Sequence, residues 1–396
     1  MARKRLGQYP WVGPGLAIFA GFFLIFVIDV LAGILAPKTR LESVLSVLCE
    51  HPRLLWTQCP HLNADFFGTR VRTGRFGLRD EPSERGNRPR VLTLGASPTF
   101  GWGVRGEETY SALLGRSLGG ADVFNGGQIG YSSYQGLRFL REFGDVIRPD
   151  IITVSYVIND VDSYRFFRSN GLADKSLSDA DALEVWMRNA ARKSFLLRWA
   201  GRIFSGAPPE PGEVRVSRED YKSNLRAIAD WSEGRARVVF LKMPVNLPKG
   251  APAADAAEGA RLYQEGMTVY EKNDCASAEE KLSRAVQADG GLSRAYYYLG
   301  VCAHRFGRKE AASAMFEAVK RAESERSARA AEEYNTAMEE VARERNIPIV
   351  DVVRAFSKRR EYLFVDPKSD TIHPNALGHE IIARELGAVI RPLIGL

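Results

Sequence analysis

Ser97 closes an apolar run, Val91-Leu-Thr-Leu-Gly-Ala-Ser97, and is followed by Pro98-Thr-Phe-Gly101-Trp-Gly103-Val104. That layout sets a hydroxyl at the carboxyl end of a buried strand, where open α/β sheets build their sites. Far downstream, Asp370-Thr-Ile-His373-Pro-Asn supplies an acid and a base three residues apart. A serine hydroxyl is a weak nucleophile until a base takes its proton, and the base needs an acid to orient it. Of the five histidines, His51 and His61 lie early in the chain and His304 lies in a helical stretch. His379 falls on a terminal helix and reads as structural. His373 alone occupies the loop after the last strand, with Asp370 close enough to hold its other ring nitrogen.

Attack by such a serine on an ester creates an oxyanion, which needs preorganised donors. Two further segments end apolar runs with suitable groups: Asn125-Gly-Gly-Gln-Ile-Gly130 and Asn159-Asp160. Gly130 can bring a bare backbone N–H close to a substrate. The Asn159 side chain can offer a second donor, and the Ser97 amide a third. Singly, Gly130 reads as a turn residue and Asn159 as a strand-end cap; in this order they complete a serine hydrolase site.

A regular alternation of strands and helices must carry these groups. Strands are expected near 90–95, 121–125, 150–156, 236–243 and 347–352, and helices at 107–118, 133–146, 217–233, 328–345 and 375–391. The strands are nearly continuous in Val, Ile and Leu, as a parallel sheet covered on both faces requires. The fold expected is a three-layer α/β domain with a flavodoxin-like parallel sheet. Residues 90–249 make its first part and 327–396 its second part, with the Asp-x-x-His loop.

Residues 161–215 interrupt the alternation and include a basic, aromatic stretch from Val185 to Phe204. It reads as a lid helix, with membrane-surface contact as the alternative. The second interruption, 250–326, holds an internal repeat. Gly266 and Gly300 stand 34 residues apart, followed at equal offsets by Ala278 with Leu282 and by Ala312 with Phe316. That period and those small and large positions resemble tetratricopeptide repeats, all-α units that stack in series and offer a face to a protein partner.

The amino terminus has its own character. Arg3, Lys4 and Arg5 precede Val12 to Ala36, whose single charged residue is Asp29. The stretch is long enough to cross a ~30 Å hydrocarbon core. Its charge asymmetry puts residues 1–36 in a cytoplasmic tip and an uncleaved signal anchor, with the rest extracytoplasmic. The expected location is the inner membrane, single-pass, with the carboxyl-terminal domain in the periplasm. Residues 37–89 read as an irregular linker. Cys49 and Cys59 flank a short loop and are close enough in sequence to pair, and Cys275 with Cys302 is a second pairing left open. The cysteines and histidines match no zinc spacing, so no metal is implied. A net charge of +7 over 396 residues, without a lysine-rich run, gives no basis for nucleic acid binding.

The four blocks together resemble the SGNH, or GDSL-type, serine hydrolases. The first block of the family is matched from Gly95 to Val104, the second from Asn125 to Gln135, the third by Asn159-Asp160, and the last by Asp370, His373, Pro374 and Asn375. The resemblance implies Ser97 as nucleophile, His373 as base and Asp370 as its partner, with Gly130 and Asn159 in the oxyanion hole. It implies ester hydrolysis or acyl transfer with no cofactor, and O-acetyl groups of envelope polysaccharide as a substrate class. Ala96 departs from the usual aspartate, and Val157 from a frequent glycine. The competing function is an envelope scaffold, in which the repeats bind a partner and the hydrolase fold turns over little.

Overall fold

The computed structural model describes residues 12–35, 43–44, 46–81, 88–162, 174–176, 194–196, 210–212, 214–247, 253–368 and 370–395. The apolar amino-terminal stretch forms helix α1, Val12–Leu35. Among the described residues, no helix is long and apolar enough to cross a membrane. The expected spanning helix is not found among the described residues. Leu16, Phe19, Phe22 and Phe26 are nonetheless exposed on α1, and its carboxylate at Asp29 accepts hydrogen bonds from Ser194 Oγ and the Leu196 amide. Most of the expected lid helix over 185–204 lies outside the described residues.

The segment expected to be an irregular linker is folded. Strands β1, Leu48–His51, and β2, Leu55–Gln58, pair antiparallel, and Cys49 is disulfide-bonded to Cys59 across them. Strands β3, Asn63–Phe66, and β4, Thr69–Arg72, form a second hairpin. Leu54, Trp56, Phe66, Val71 and Leu78 are buried in one cluster with the main sheet. The apolar residues of these short strands and the turns beside them are buried and need a neighbour to cover them, which the main sheet supplies.

The chain then enters the α/β domain. Strand β5 is Arg90–Gly95, followed by the one-turn helix α2, Ser97–Phe100, and by α3, Tyr110–Leu118. Strand β6, Asp122–Gly127, leads to α4, Ser133–Ile147, and β7 is Ile151–Ser155. Helix α5, Arg218–Ser232, and strand β8, Arg237–Lys242, follow. The all-α insertion consists of α6, Ala256–Tyr270, α7, Cys275–Ala288, α8, Ser293–Arg305, and the long α9, Lys309–Arg345. The chain closes with β9, Ile349–Asp351, α10, Val352–Ser357, the antiparallel pair β10, Phe364–Asp366, and β11, Asp370–Pro374, and α11, Ala376–Leu393.

The five main strands are parallel in the order β6-β5-β7-β8-β9. Counted along the chain, this is the doubly wound 2-1-3-4-5 arrangement, whose switch point lies at the carboxyl ends of its first and third strands. Alternate strand residues feed two cores. Leu92, Leu94, Ile152, Val154 and Phe240 pack with α4, α5 and α9, while Val91, Ile151, Val239 and Leu241 pack with α3 and α11.

The insertion does not end where the sequence suggests. The sequence puts a boundary at 326–327 and a helix start at 328, whereas α9 runs unbroken through both. No Gly or Pro occurs between Lys309 and Arg345, so nothing in the polar dip Glu323-Ser-Glu-Arg-Ser327 stops a helix. The second half of α9 is tied to α5 by Arg218 and Lys222 on Glu340 and by Arg226 on Glu344. Within the insertion Cys275 is bonded to Cys302. Gly266 lies against the Leu282 side chain, and Gly300 against the Phe316 ring.

Candidate active site

The nucleophile loop starts where β5 ends. Ala96 remains extended, and its carbonyl accepts the amides of Thr99 and Phe100, both at 3.0 Å. The turn is thus closed by backbone at position 96 and does not use the carboxylate expected there. The Ser97 carbonyl accepts from Gly101 and Trp102 at 3.0 and 3.1 Å, with Gly101 at φ 87° as a left-handed cap. A side chain on Gly127 would come within 2.1 Å of the Phe100 amide, so the end of β6 presses directly on this turn.

His373 arrives on β11 from the opposite end of the sequence. Its ring is placed so that Ser97 Oγ–H donates to Nε2 at 2.8 Å and Nδ1–H donates to Asp370 Oδ1 at 2.7 Å. The same carboxylate oxygen accepts the His373 amide at 3.3 Å. Next along the chain, Asn375 caps α11 through the Gly378 amide and donates to the Tyr362 carbonyl at 2.9 Å, which fixes the end of the strand. Trp102 stacks on the imidazole with centroids 5.0 Å apart and planes 10° apart. Ser97, His373 and Asp370 are all buried, at 7%, 5% and 6% exposure.

His379 has a different fate. It is fully buried, its Nδ1 accepts the Tyr110 amide at 3.1 Å, and its ring stacks on Tyr110. Burial, reinforced by the Arg79 charge, drives it down to about 3. It is a neutral structural group, as expected.

Gly130 and Asn159 follow the carboxyl ends of the two strands that flank β5. Gly130 follows β6 with φ 76°, a conformation that favours glycine. Asn159 follows β7, and its Nδ2 donates one hydrogen to the Tyr131 carbonyl at 2.9 Å. The amide carries two hydrogens, so one remains for a ligand. The Val157 carbonyl accepts the amides of Asp160 and Val161, closing the turn without a glycine. Asp160 points inward, where Oδ1 accepts the Ser133 amide at 2.8 Å. Burial pushes its carboxyl up to about 7, against the opposing hydrogen bonds from Ser133. Ser97, His373 and Asp370 are thus joined by hydrogen bonds, while Gly130 and Asn159 follow the ends of the strands on either side of β5.

Three supports escaped sequence reasoning. Arg79 is buried, and its guanidinium donates to the carbonyls of Phe100, Gly101 and Val104, gripping the loop behind Ser97. Burial lowers it to about 10. Arg215 and Asp174 form a buried ion pair at 2.9 Å, and Arg215 Nη1 also donates to the Gly130 carbonyl at 2.6 Å. Ser132 Oγ donates to Asp174 at 2.6 Å. No spacing pattern announces these contacts, because each joins residues far apart in the sequence.

A nucleophile, base, acid and adjacent amide donors on a doubly wound sheet define a serine hydrolase. A family model, the GDSL-like lipase/acylhydrolase family, matches residues 311–381, which include Asp370 and His373. That match covers less than a fifth of the chain; it spans the acid and the base of the site, and the base is bonded to Ser97, as in an ester hydrolase. No curated protein matches it. Among solved structures, the lipase/acylhydrolase from Enterococcus faecalis is similar at 13% identity and TM-score 0.39, covering 77% of this chain and 96% of that one. A catalytic mutant of Axe2, an acetylxylan esterase from Geobacillus stearothermophilus, is similar at 14% identity and TM-score 0.38, covering 79% and 97%. LAE5, an α/β hydrolase enzyme from the metagenome of Lake Arreo, Spain, is similar at 16% identity and TM-score 0.37, covering 76% and 94%.

Proposed function

We propose that this chain is a membrane-anchored, extracytoplasmic serine esterase that removes or transfers small acyl groups, with O-acetyl groups of envelope polysaccharide as its substrate class. The single observation that carries the esterase reading is the relay from Ser97 Oγ through His373 to Asp370. In it His373 takes the serine proton as Ser97 attacks the acyl carbon, and the imidazolium is held by Asp370. The Gly130 amide and the second Asn159 hydrogen receive the developing oxyanion. His373 then returns the proton to the leaving alcohol, and a water or a second alcohol reverses the steps. The near-complete burial of Ser97 favours a small acyl group. Trp102 and the partly exposed Phe67, stacked at 4.9 Å, offer aromatic faces of the kind on which sugar rings rest.

Anchoring is supported by the exposed apolar side chains of α1 behind Arg3, Lys4 and Arg5, and an oxidising location by the two disulfides. The insertion is read as two tetratricopeptide-like repeats that hold a protein partner, supported by Gly266 under Leu282 and Gly300 under Phe316 at the same 34-residue offset. That feature also favours the second reading, a scaffold with little turnover. Assay of the purified chain on short aryl esters and acetylated sugars, beside Ser97→Ala, separates the two. The esterase reading expects a loss of about 10³-fold or more in kcat; equal rates across all substrates would leave the scaffold. Fractionation of cells, with protease protection of the carboxyl-terminal domain, tests the anchor.

A further inference from the structure

We propose that Trp56 is a positioning residue for the oxyanion hole, held in place by the disulfide-closed β1–β2 hairpin. This rests on the reading of Gly130 as an oxyanion donor and explains how its amide is aimed. The Gly130 N–H and the Ile129 carbonyl belong to one planar peptide unit. No cis peptide bond occurs among the described residues, and in a trans unit the two bonds point in opposite directions. Whatever fixes the carbonyl therefore fixes the amide.

Trp56 Nε1–H donates to the Ile129 carbonyl at 2.9 Å, with both residues almost fully buried. A donor on the carbonyl also polarises the unit and strengthens its N–H as a donor. Beyond the Gly130 Cα, the next carbonyl is held by Arg215 Nη1 at 2.6 Å, and that guanidinium lies 5.8 Å from the Trp56 ring. The peptides on either side of Gly130 are thus each gripped by a buried side chain.

The tryptophan itself is well held. Tyr131 Oη–H donates to the Trp56 carbonyl at 2.5 Å and its ring meets the indole edge-on at 5.9 Å. Gln128 Oε1 accepts from Thr57 Oγ1 at 2.9 Å and from the Gln58 amide at 3.1 Å. Strand β2 therefore forms a polar seam with 128–131, and the Cys49–Cys59 bond ties off the hairpin that bears it.

The test is Trp56→Phe, which keeps an aromatic ring and removes the donor. On a short-chain aryl ester kcat should fall roughly tenfold with KM within about twofold, a smaller loss than the ~10²–10³ that follows removal of an oxyanion donor itself. Affinity for an alkyl boronic acid, which forms a tetrahedral adduct on Ser97, should fall by a similar factor. Site-specific replacement of Trp56 by its benzothiophene analogue keeps the bicyclic shape without the N–H and should reproduce the loss even where phenylalanine unfolds the hairpin. Unchanged kcat and boronate affinity in these variants, beside an inactive Ser97→Ala, would overturn the role of Trp56 alone. Full activity in Ser97→Ala would remove the site reading beneath it.

Discussion

Ser97, His373 and Asp370 are positioned largely by bonds within their own loops, whereas the Gly130 arm is held by side chains 73 and 85 positions away in the chain. Most of what positions the catalytic trio is local: a backbone turn presents Ser97, and one strand, β11, carries both Asp370 and His373. The oxyanion arm has no such economy. Its backbone is held from outside, by Trp56 in the amino-terminal hairpin and by Arg215 just before α5. The nucleophilic half takes one grip from outside, Arg79 on the loop behind Ser97, while the proposed charge-stabilising half takes two, each on a peptide beside Gly130.

Breaking the second half should therefore leave the first intact, and the largest effect is expected from its buried ion pair. Arg215→Met strands the Asp174 carboxylate in the interior, which costs about 3–5 kcal/mol, read by denaturant unfolding. Adding Asp174→Asn to that variant should recover part of the loss; no recovery would show that the cost lies in packing. Asn159→Ala should lower kcat by about 10²-fold or more with a normal melting temperature, sharpening the division between donor and trio. A change confined to KM would reassign Asn159 to substrate binding.

A further prediction concerns Asp160, beneath the same arm. Its carboxyl is raised in the folded chain from 3.8 to about 7 by burial, so the native state holds the proton more tightly than the unfolded one. This contribution makes stability decline as pH rises from near 4 to near 7 and then level off. Asp160→Asn should flatten that decline in melts taken across the range; an unaltered slope would mean the group does not titrate as described.

The legible parts of this chain were those with local signatures. Continuous Val, Ile and Leu runs marked all five strands of the main sheet, and the small or polar residues that end them marked Ser97, Gly130 and Asn159. Asp370 and His373 were legible because they share one short loop. Trp56, Arg79 and Arg215 were not, since they act across the fold on backbone carbonyls that look like any others. The hairpins at 46–81 read as linker because four-residue strands carry too little periodicity to stand out. The end of the insertion was misplaced because polarity marks exposure, and an exposed stretch such as Glu323 to Ser327 can stay helical.

That last point has a practical side. The 37-residue helix α9 is at once the final rod of the insertion and a girder of the catalytic domain. Its Tyr334 hydroxyl donates to the Val216 carbonyl, one residue past Arg215, and Arg326 reaches the Val161 carbonyl just beyond Asn159. A load applied at the outer end of that rod is delivered, without any joint along it, to the masonry around the oxyanion hole. Whoever trims the insertion away must begin the shortened rod with a fresh cap near Ser327, or the stonework will shift with it.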